Sequence, residues 1–187
     1  MKEDILKAVE VLKKGGVILY PTDTIWGLGC DATNPDAVSR IYEIKKREDS
    51  KSMLVLVNSI DSIYSFIDEV PEIGIEIIEV SDKPITIIFP GAKNLAKNLI
   101  ADDGSIGIRV TNEEFSSQLI KTFKKPVVST SANFSGEASP RNFMDISDDL
   151  KQKVDYIVQY NQDNKMLSKP SSIIKVDLGN VIKVIRN

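Results

Sequence analysis

The residues of this chain that could do chemistry fall into short clusters of small polar groups. Thr22, Asp23, Thr24, Gly27 and Gly29 crowd the stretch "YPTDTIWGLG", directly behind the apolar run "GVIL". Ser129, Thr130, Ser131, Asn133, Ser135 and Gly136 do the same in "STSANFSG", behind "VV". Thr111-Asn112 after "SIGIRV" and Ser171-Ser172 before "IIKV" are smaller versions. Short hydroxyls and glycines let donors and backbone N–H groups approach phosphate or carboxylate oxygens closely. Singly, each stretch reads as an ordinary turn capped by Ser, Thr or Asn. Together, on one sheet, they point to a ligand site beyond the strand ends.

Few cations are available to meet an anion there. Lys45, Lys46, Arg47 and Lys51 cluster after a helical segment, and Arg109, Arg141 and Arg186 stand apart. The cluster alone reads as a solvated charge run that Glu48 and Asp49 half-neutralise. Arg109 resists that reading, because a charge inside the strand pattern "IGIRV" must be paired or face a cavity. The chain has no histidine and one cysteine, Cys30, which removes Ser-His-Asp and Cys-His nucleophiles and His/Cys metal sites. Catalysis would therefore run on Lys, Arg, acids and hydroxyls, with a hard cation as the remaining metal option. Neither a Walker A sequence nor a G-x-G-x-x-G fingerprint is present.

A formal net charge of -3 argues against holding nucleic acid by bulk electrostatics. "MKEDILKAVE" lacks the apolar core of a signal peptide, and no apolar run reaches membrane-spanning length. With its lone cysteine, the chain is expected in the cytoplasm with no membrane partner.

The elements that must position these residues alternate. Residues 3 to 14 form an apolar helical stripe closed by Gly15-Gly16, followed by the strand "VILY" and the polar loop. Asn34-Pro35 opens a helix, and "MLVLV" at 53–57 is a strand. Helical segments are predicted at 60–67 and 72–79, a strand at 85–89 and a short helix near 94–100. Strand "SIGIRV", helix 113–123, strand "VVST", a short helix and a strand around "DYIVQY" come next. The chain closes on "SSIIKV" and "VIKVIR", joined antiparallel through "DLGN". This order predicts one α/β domain over 1–187: a twisted, open, mixed sheet with helices on both faces.

"KGGVILYPTDTIWGLGCDA", "IYEIKKR", "SIGIRV", "STSANFSGEASP" and "PSSIIKVDL…VIR" together resemble the YrdC-like family of L-threonylcarbamoyladenylate synthases, over residues 7 to 186. The resemblance implies a concave, positively charged cavity on the α/β sheet. It implies synthesis of threonylcarbamoyl-AMP and pyrophosphate from L-threonine, bicarbonate and ATP, as the first step toward threonylcarbamoyl-adenosine in tRNA. Longer members carry a further C-terminal domain, so the short, single-domain form is expected. By resemblance, Lys45, Arg47, Ser131 and Asn133 are the catalytic set. Thr24, Arg109, Ser131 and Ser172 would bind threonine. Lys45, Arg47, Lys51, Ser105, Asn133, Arg141 and Arg186 would bind ATP. Mg²⁺ would come with the ATP, without dedicated protein ligands. Proteins that transfer the threonylcarbamoyl group to tRNA would take the product.

The chain departs from the family at Glu48, Ser52 and Met53, where prolines and Pro-Leu are common. It also has no histidine near Leu56, where some members place one against the threonine hydroxyl. The alternative is an RNA-binding translation or ribosome-maturation factor of the same fold, with weak direct RNA contact. That reading calls for a basic balance and stacking aromatics, whereas this chain is acidic. A relative that kept the fold and lost the activity would not need the Lys45, Arg47, Ser131 and Asn133 set. As a solvated helix end, Lys45 and Arg47 are expected to contribute to catalysis and little to stability.

Overall fold

The computed structural model describes residues 1–46 and 53–187. Arg47, Lys51, Glu48 and Ser52 lie outside the described residues.

Helix α1 (Lys2–Lys13) buries the stripe Ile5, Ala8, Val9 and Leu12. It leads into β1 (Ile18–Tyr20) and β2 (Gly27–Gly29). The Asn34 side chain accepts from the N–H groups of Asp36 and Ala37, and Pro35 takes the first position of α2 (Pro35–Lys45). Strand β3 (Leu54–Val57), helix α3 (Glu72–Val80), β4 (Ile85–Phe89) and β5 (Ile106–Val110) follow. Then come α4 (Glu114–Phe123), β6 (Val127–Ser131), α5 (Asp148–Lys151) and β7 (Tyr156–Ile157). The hairpin of β8 (Ser172–Val176) and β9 (Ile182–Arg186) ends the chain. The segments expected as helices near 60–67 and 94–100 are 3-10 turns, Asp61–Ser65 and Lys97–Leu99.

Among the described residues the strands form one sheet in the order β7-β1-β2-β6-β3-β5-β4-β8-β9. Pairing is parallel for β1/β7, β3/β5 and β4/β8 and antiparallel elsewhere. The fold is α/β with an open, mixed sheet. No helix among the described residues is long and apolar enough to cross a membrane.

Strand β2 was read as loop, because Gly-Leu-Gly has poor strand propensity. The glycines are there for a close approach. A Cβ on Gly29 would stand 2.6 Å from the Tyr20 ring and 3.0 Å from the Val128 carbonyl oxygen. Tyr20 is fully buried, and its hydroxyl donates to that same carbonyl at 3.1 Å. Gly29→Ala is therefore expected to cost about 1–3 kcal/mol by overpacking. Thermal unfolding checks it, and an unchanged melting temperature would mean that the ring yields freely.

Residues directly opposite across paired strands project to the same face of a sheet. Leu54 pairs with Ser129 and Gly107, Gly107 with Ile88, and Leu56 with Arg109. Ser129, Leu54, Gly107, Arg109 and Ile88 thus share one face. Val55, Ile108, Ile87 and Val128 share the other. Helix α3 lies on that second face, with Gly74 against Phe89 and Ile87. The first face is left open where β6, β3, β5, β4 and β8 run side by side.

Candidate active site

A cavity of about 230 Å³ lies over this open face. Its floor comes from strand positions two apart: Gly107 and Arg109 on β5, Ser129 and Ser131 on β6, Thr86 and Ile88 on β4. Thr24 and Trp26 wall it from the β1–β2 connection, and Ser171 and Arg186 from the closing hairpin. A site beyond the carboxyl ends of the strands does not form. β1, β6, β4 and β8 run one way and β3 and β5 the other, so those ends do not meet on one edge. The grouping with Thr111-Asn112 therefore fails. Thr111 is fully buried, with its hydroxyl 2.8 Å from that of Ser116 at the start of α4.

Arg109 is both paired and turned to a cavity. It is 3% exposed, with Nη2 3.0 Å from Asp23 Oδ1 and 3.4 Å from Thr22 Oγ1. The Asp23 contact is an ion pair without the alignment of a hydrogen bond, so Oδ1 has no hydrogen-bond partner among the described residues. Nor has Arg109 Nε. A buried guanidinium that lines a cavity with donors left over is a receptor for an oxyanion. Burial raises the Asp23 carboxyl above the usual range, and the Arg109 charge opposes that. Across the cavity, Arg186 donates from Nε and Nη2 to the Ser171 carbonyl at 2.9 and 2.7 Å. Burial, and then the like charge of Arg109, lower the Arg186 pKa. Two guanidiniums facing one space select for anions, whatever the net charge of the chain.

Lys45 is not a solvated helix end. It is 1% exposed, and Nζ donates to the carbonyls of Ser131 at 2.5 Å and Asn133 at 2.6 Å. Its own carbonyl accepts from the Ser135 N–H at 2.9 Å. Asn133 continues the tie, donating from Nδ2 to the carbonyls of Phe134 and Glu137 at 3.0 and 2.8 Å. Its Oδ1 is buried without a hydrogen-bond partner among the described residues. Lys45 and Asn133 thus set the loop that follows Ser131.

The structure brings Thr24, Ser131, Arg109 and Arg186 to one cavity. Lys45, at the end of α2, and Asn133 tie the loop after Ser131 without lining that cavity, and three further residues assigned with them do not line it either. Ser172 pairs with Ile85, which puts it on the other face, and the adjacent Ser171 stands at the wall. A shift of one residue along a strand exchanges faces. The Ser105 hydroxyl donates to Asp103 Oδ1 at 2.5 Å. Lys175, which pairs with Asp103, and then Ser105 hold the Asp103 carboxyl down at about 2. The Arg141 side chain is 62% exposed and paired with Asp145 at 3.2 Å.

The reading of the sequence did not single out Thr86 and Gly107, and it gave Ser129 and Ser171 only as members of polar clusters. Period two was the available signal: Ser129 lies two residues before Ser131, and Gly107 two before Arg109. Ser171→Ala is expected to weaken ligand affinity by about fivefold, the worth of one hydrogen bond, and Ser172→Ala to leave it unchanged. Titration calorimetry on both variants checks this, and the reverse order would contradict the register.

Residues 10–187 match the family model Sua5_yciO_yrdC, described as telomere recombination. The chain is 34% identical over 180 residues to a threonylcarbamoyl-AMP synthase of Hahella chejuensis, covering 96% of this chain and 97% of that protein. The crystal structure of YciO from E. coli superposes with a TM-score of 0.86 at 25% identity, over 100% of this chain and 90% of YciO. Sua5 of P. abyssi, solved in complex with L-threonine, shares the fold with a TM-score of 0.80 at 23% identity. That match covers 92% of this chain, and the chain spans 50% of the P. abyssi protein.

Proposed function

The chain belongs to the Sua5/YciO/YrdC family, and on that premise we propose that it is a threonylcarbamoyl-AMP synthase. It is a nucleotidyltransferase that makes threonylcarbamoyl-AMP and pyrophosphate from L-threonine, bicarbonate and ATP, for the threonylcarbamoyl-adenosine modification of tRNA. The observation that carries the reading is Arg109: a buried guanidinium at the wall of a hydroxyl-lined cavity.

The threonine amine condenses with bicarbonate to a carbamate, releasing water. A carbamate oxygen then attacks the α-phosphorus of ATP and pyrophosphate leaves. All the reacting partners carry negative charge, so repulsion and positioning are the obstacle. Arg109 takes the threonine carboxylate, and the hydroxyls of Thr24, Ser131 and Ser171 orient oxygens. Arg186 lies toward the nucleotide. Lys45 acts by holding the Ser131 and Asn133 carbonyls, which aims the loop at the reacting atoms. Arg47 and Lys51 join the phosphate end by resemblance. Arg141 could exchange its exposed Asp145 partner for a phosphate oxygen, since such surface pairs are weak. Orientation of this kind supplies up to ~7–11 kcal/mol of a barrier. No covalent intermediate is required, and the one thiol, Cys30, is buried with its pKa pushed up by that burial.

Mg²⁺ fits only as part of the substrate. No group of three or more acidic or Cys side chains that could hold a metal occurs among the described residues, and the residues lining the cavity include no carboxylate. Such an ion would come with the ATP phosphates. A cytoplasmic setting and delivery of the product to tRNA threonylcarbamoyl-transfer proteins complete the proposal.

Replacing threonine by valine tests the substrate assignment. The chain has no histidine, and by resemblance some members place one near Leu56 against the threonine hydroxyl. Threonine should therefore be preferred in pyrophosphate release, but by far less than the ~10⁴–10⁵ that a site built on hydroxyl recognition can reach. Equal rates with valine would remove the assignment.

A further inference from the structure

Asp23 has no role in the chemistry above, although it sits between Thr22 and Thr24 in the polar stretch that follows β1. It is the ion-pair partner of Arg109, with a side chain 13% exposed. Yet it does not line the cavity that Arg109 faces. It lines a second cavity, of about 620 Å³, bounded by residues such as Asn58, Lys83 and Asn112. Arg109 therefore stands between the substrate space and Asp23. We propose that Asp23 is a positioning residue for amino-acid recognition: it holds the Arg109 guanidinium through Nη2 from behind, so that the remaining donors of the guanidinium meet the substrate carboxylate. This role rests on the synthase reading.

The other contact of the guanidinium cannot do this. Thr22 Oγ1 is 3.4 Å from Nη2 and already donates to the Ile25 carbonyl at 2.8 Å and accepts from the Thr24 N–H at 3.1 Å. Among the described residues, Asp23 is the one carboxylate paired with Arg109. The second cation of the cavity, Arg186, repels Arg109 toward Asp23 rather than holding it. A long side chain with one charged anchor and donors left over is ready to bind at low ordering cost. Without the anchor, Arg109 must find its orientation after the substrate arrives.

The test compares Michaelis constants of wild type, Asp23→Asn, Arg109→Lys and the double variant, with pyrophosphate as readout. Asp23→Asn is expected to raise the threonine KM by about tenfold or more and leave the ATP KM within about twofold, since only the carboxylate contact depends on the pair. In the Arg109→Lys background the same change should add less than about twofold, because residues that act through one another are not additive. An unchanged threonine KM, a parallel rise for ATP, or full additivity would overturn the proposal. If Asp23→Asn does not fold, Asp23→Glu keeps the charge but displaces it by a methylene. It should show the same split between threonine and ATP, and a parallel loss overturns the role. A wild-type protein with no threonine-dependent pyrophosphate release overturns the synthase reading itself. That outcome is distinct from an active wild type whose Asp23→Asn variant is unaffected.

Discussion

Lys45→Ala is expected to lower stability by about 2–4 kcal/mol and pyrophosphate release by more than about a hundredfold, because it removes a buried ammonium that donates to two part-buried carbonyls. The carbonyls are those of Ser131 and Asn133, at 2.5 and 2.6 Å from Nζ. For a chain of this size, ~2–4 °C of melting temperature goes with each kcal/mol, so the shift is well resolved. Activity falls further than stability alone would require, since Ser131 is a cavity-wall residue and Asn133 follows it directly. A solvated helix end would lose activity with its melting temperature unchanged, and that result would contradict the buried tie.

Arg109→Ala should reduce threonine affinity by about 10²–10³-fold, the worth of two charge-assisted hydrogen bonds, with ATP affinity much less affected. It also leaves the Asp23 carboxylate without its cation. Burial already raises that carboxyl, and removing Arg109, which opposes the rise, lifts it further. A group whose folded pKa lies above its unfolded value favours the native state below the unfolded value. That stability is lost as pH rises through the folded value. The variant should therefore be most destabilised near neutral pH and recover toward wild type as pH falls to the ordinary carboxylate range near ~3.9. Melting curves across that window, beside threonine and ATP titrations, check both halves. A larger loss for ATP than for threonine would make Arg109 a nucleotide contact.

Arg109 was legible because a charge in an apolar strand admits few explanations. The α2 cap and the closing hairpin were legible from Asn34-Pro35 and "DLGN" for equally local reasons. Lys45 was misread as solvent-facing from its charged neighbours, although the signal was available. Val38, Ile41, Tyr42 and Lys45 fall at i, i+3, i+4 and i+7, the buried stripe of α2. Strand β2 was hidden because a tertiary contact, the Tyr20 ring, dictates glycines that propensity counts against a strand. The choice between Ser171 and Ser172 depends on how β8 registers against β4, and no local pattern encodes that. The antiparallel pairings β1/β2, β3/β6 and β4/β5 were out of reach, and they move the site from an edge to a face.

The central claim is that one cavity joins an amino acid held by Arg109 to a nucleotide through a carbamate. The most direct test incubates the purified protein with ATP, L-threonine and isotopically labelled bicarbonate, and follows pyrophosphate and the adenylate product by mass. Pyrophosphate should appear only when all three substrates are present, matched by a threonylcarbamoyl-AMP that carries the bicarbonate label. Pyrophosphate release that proceeds without threonine, or an adenylate without the label, would contradict it.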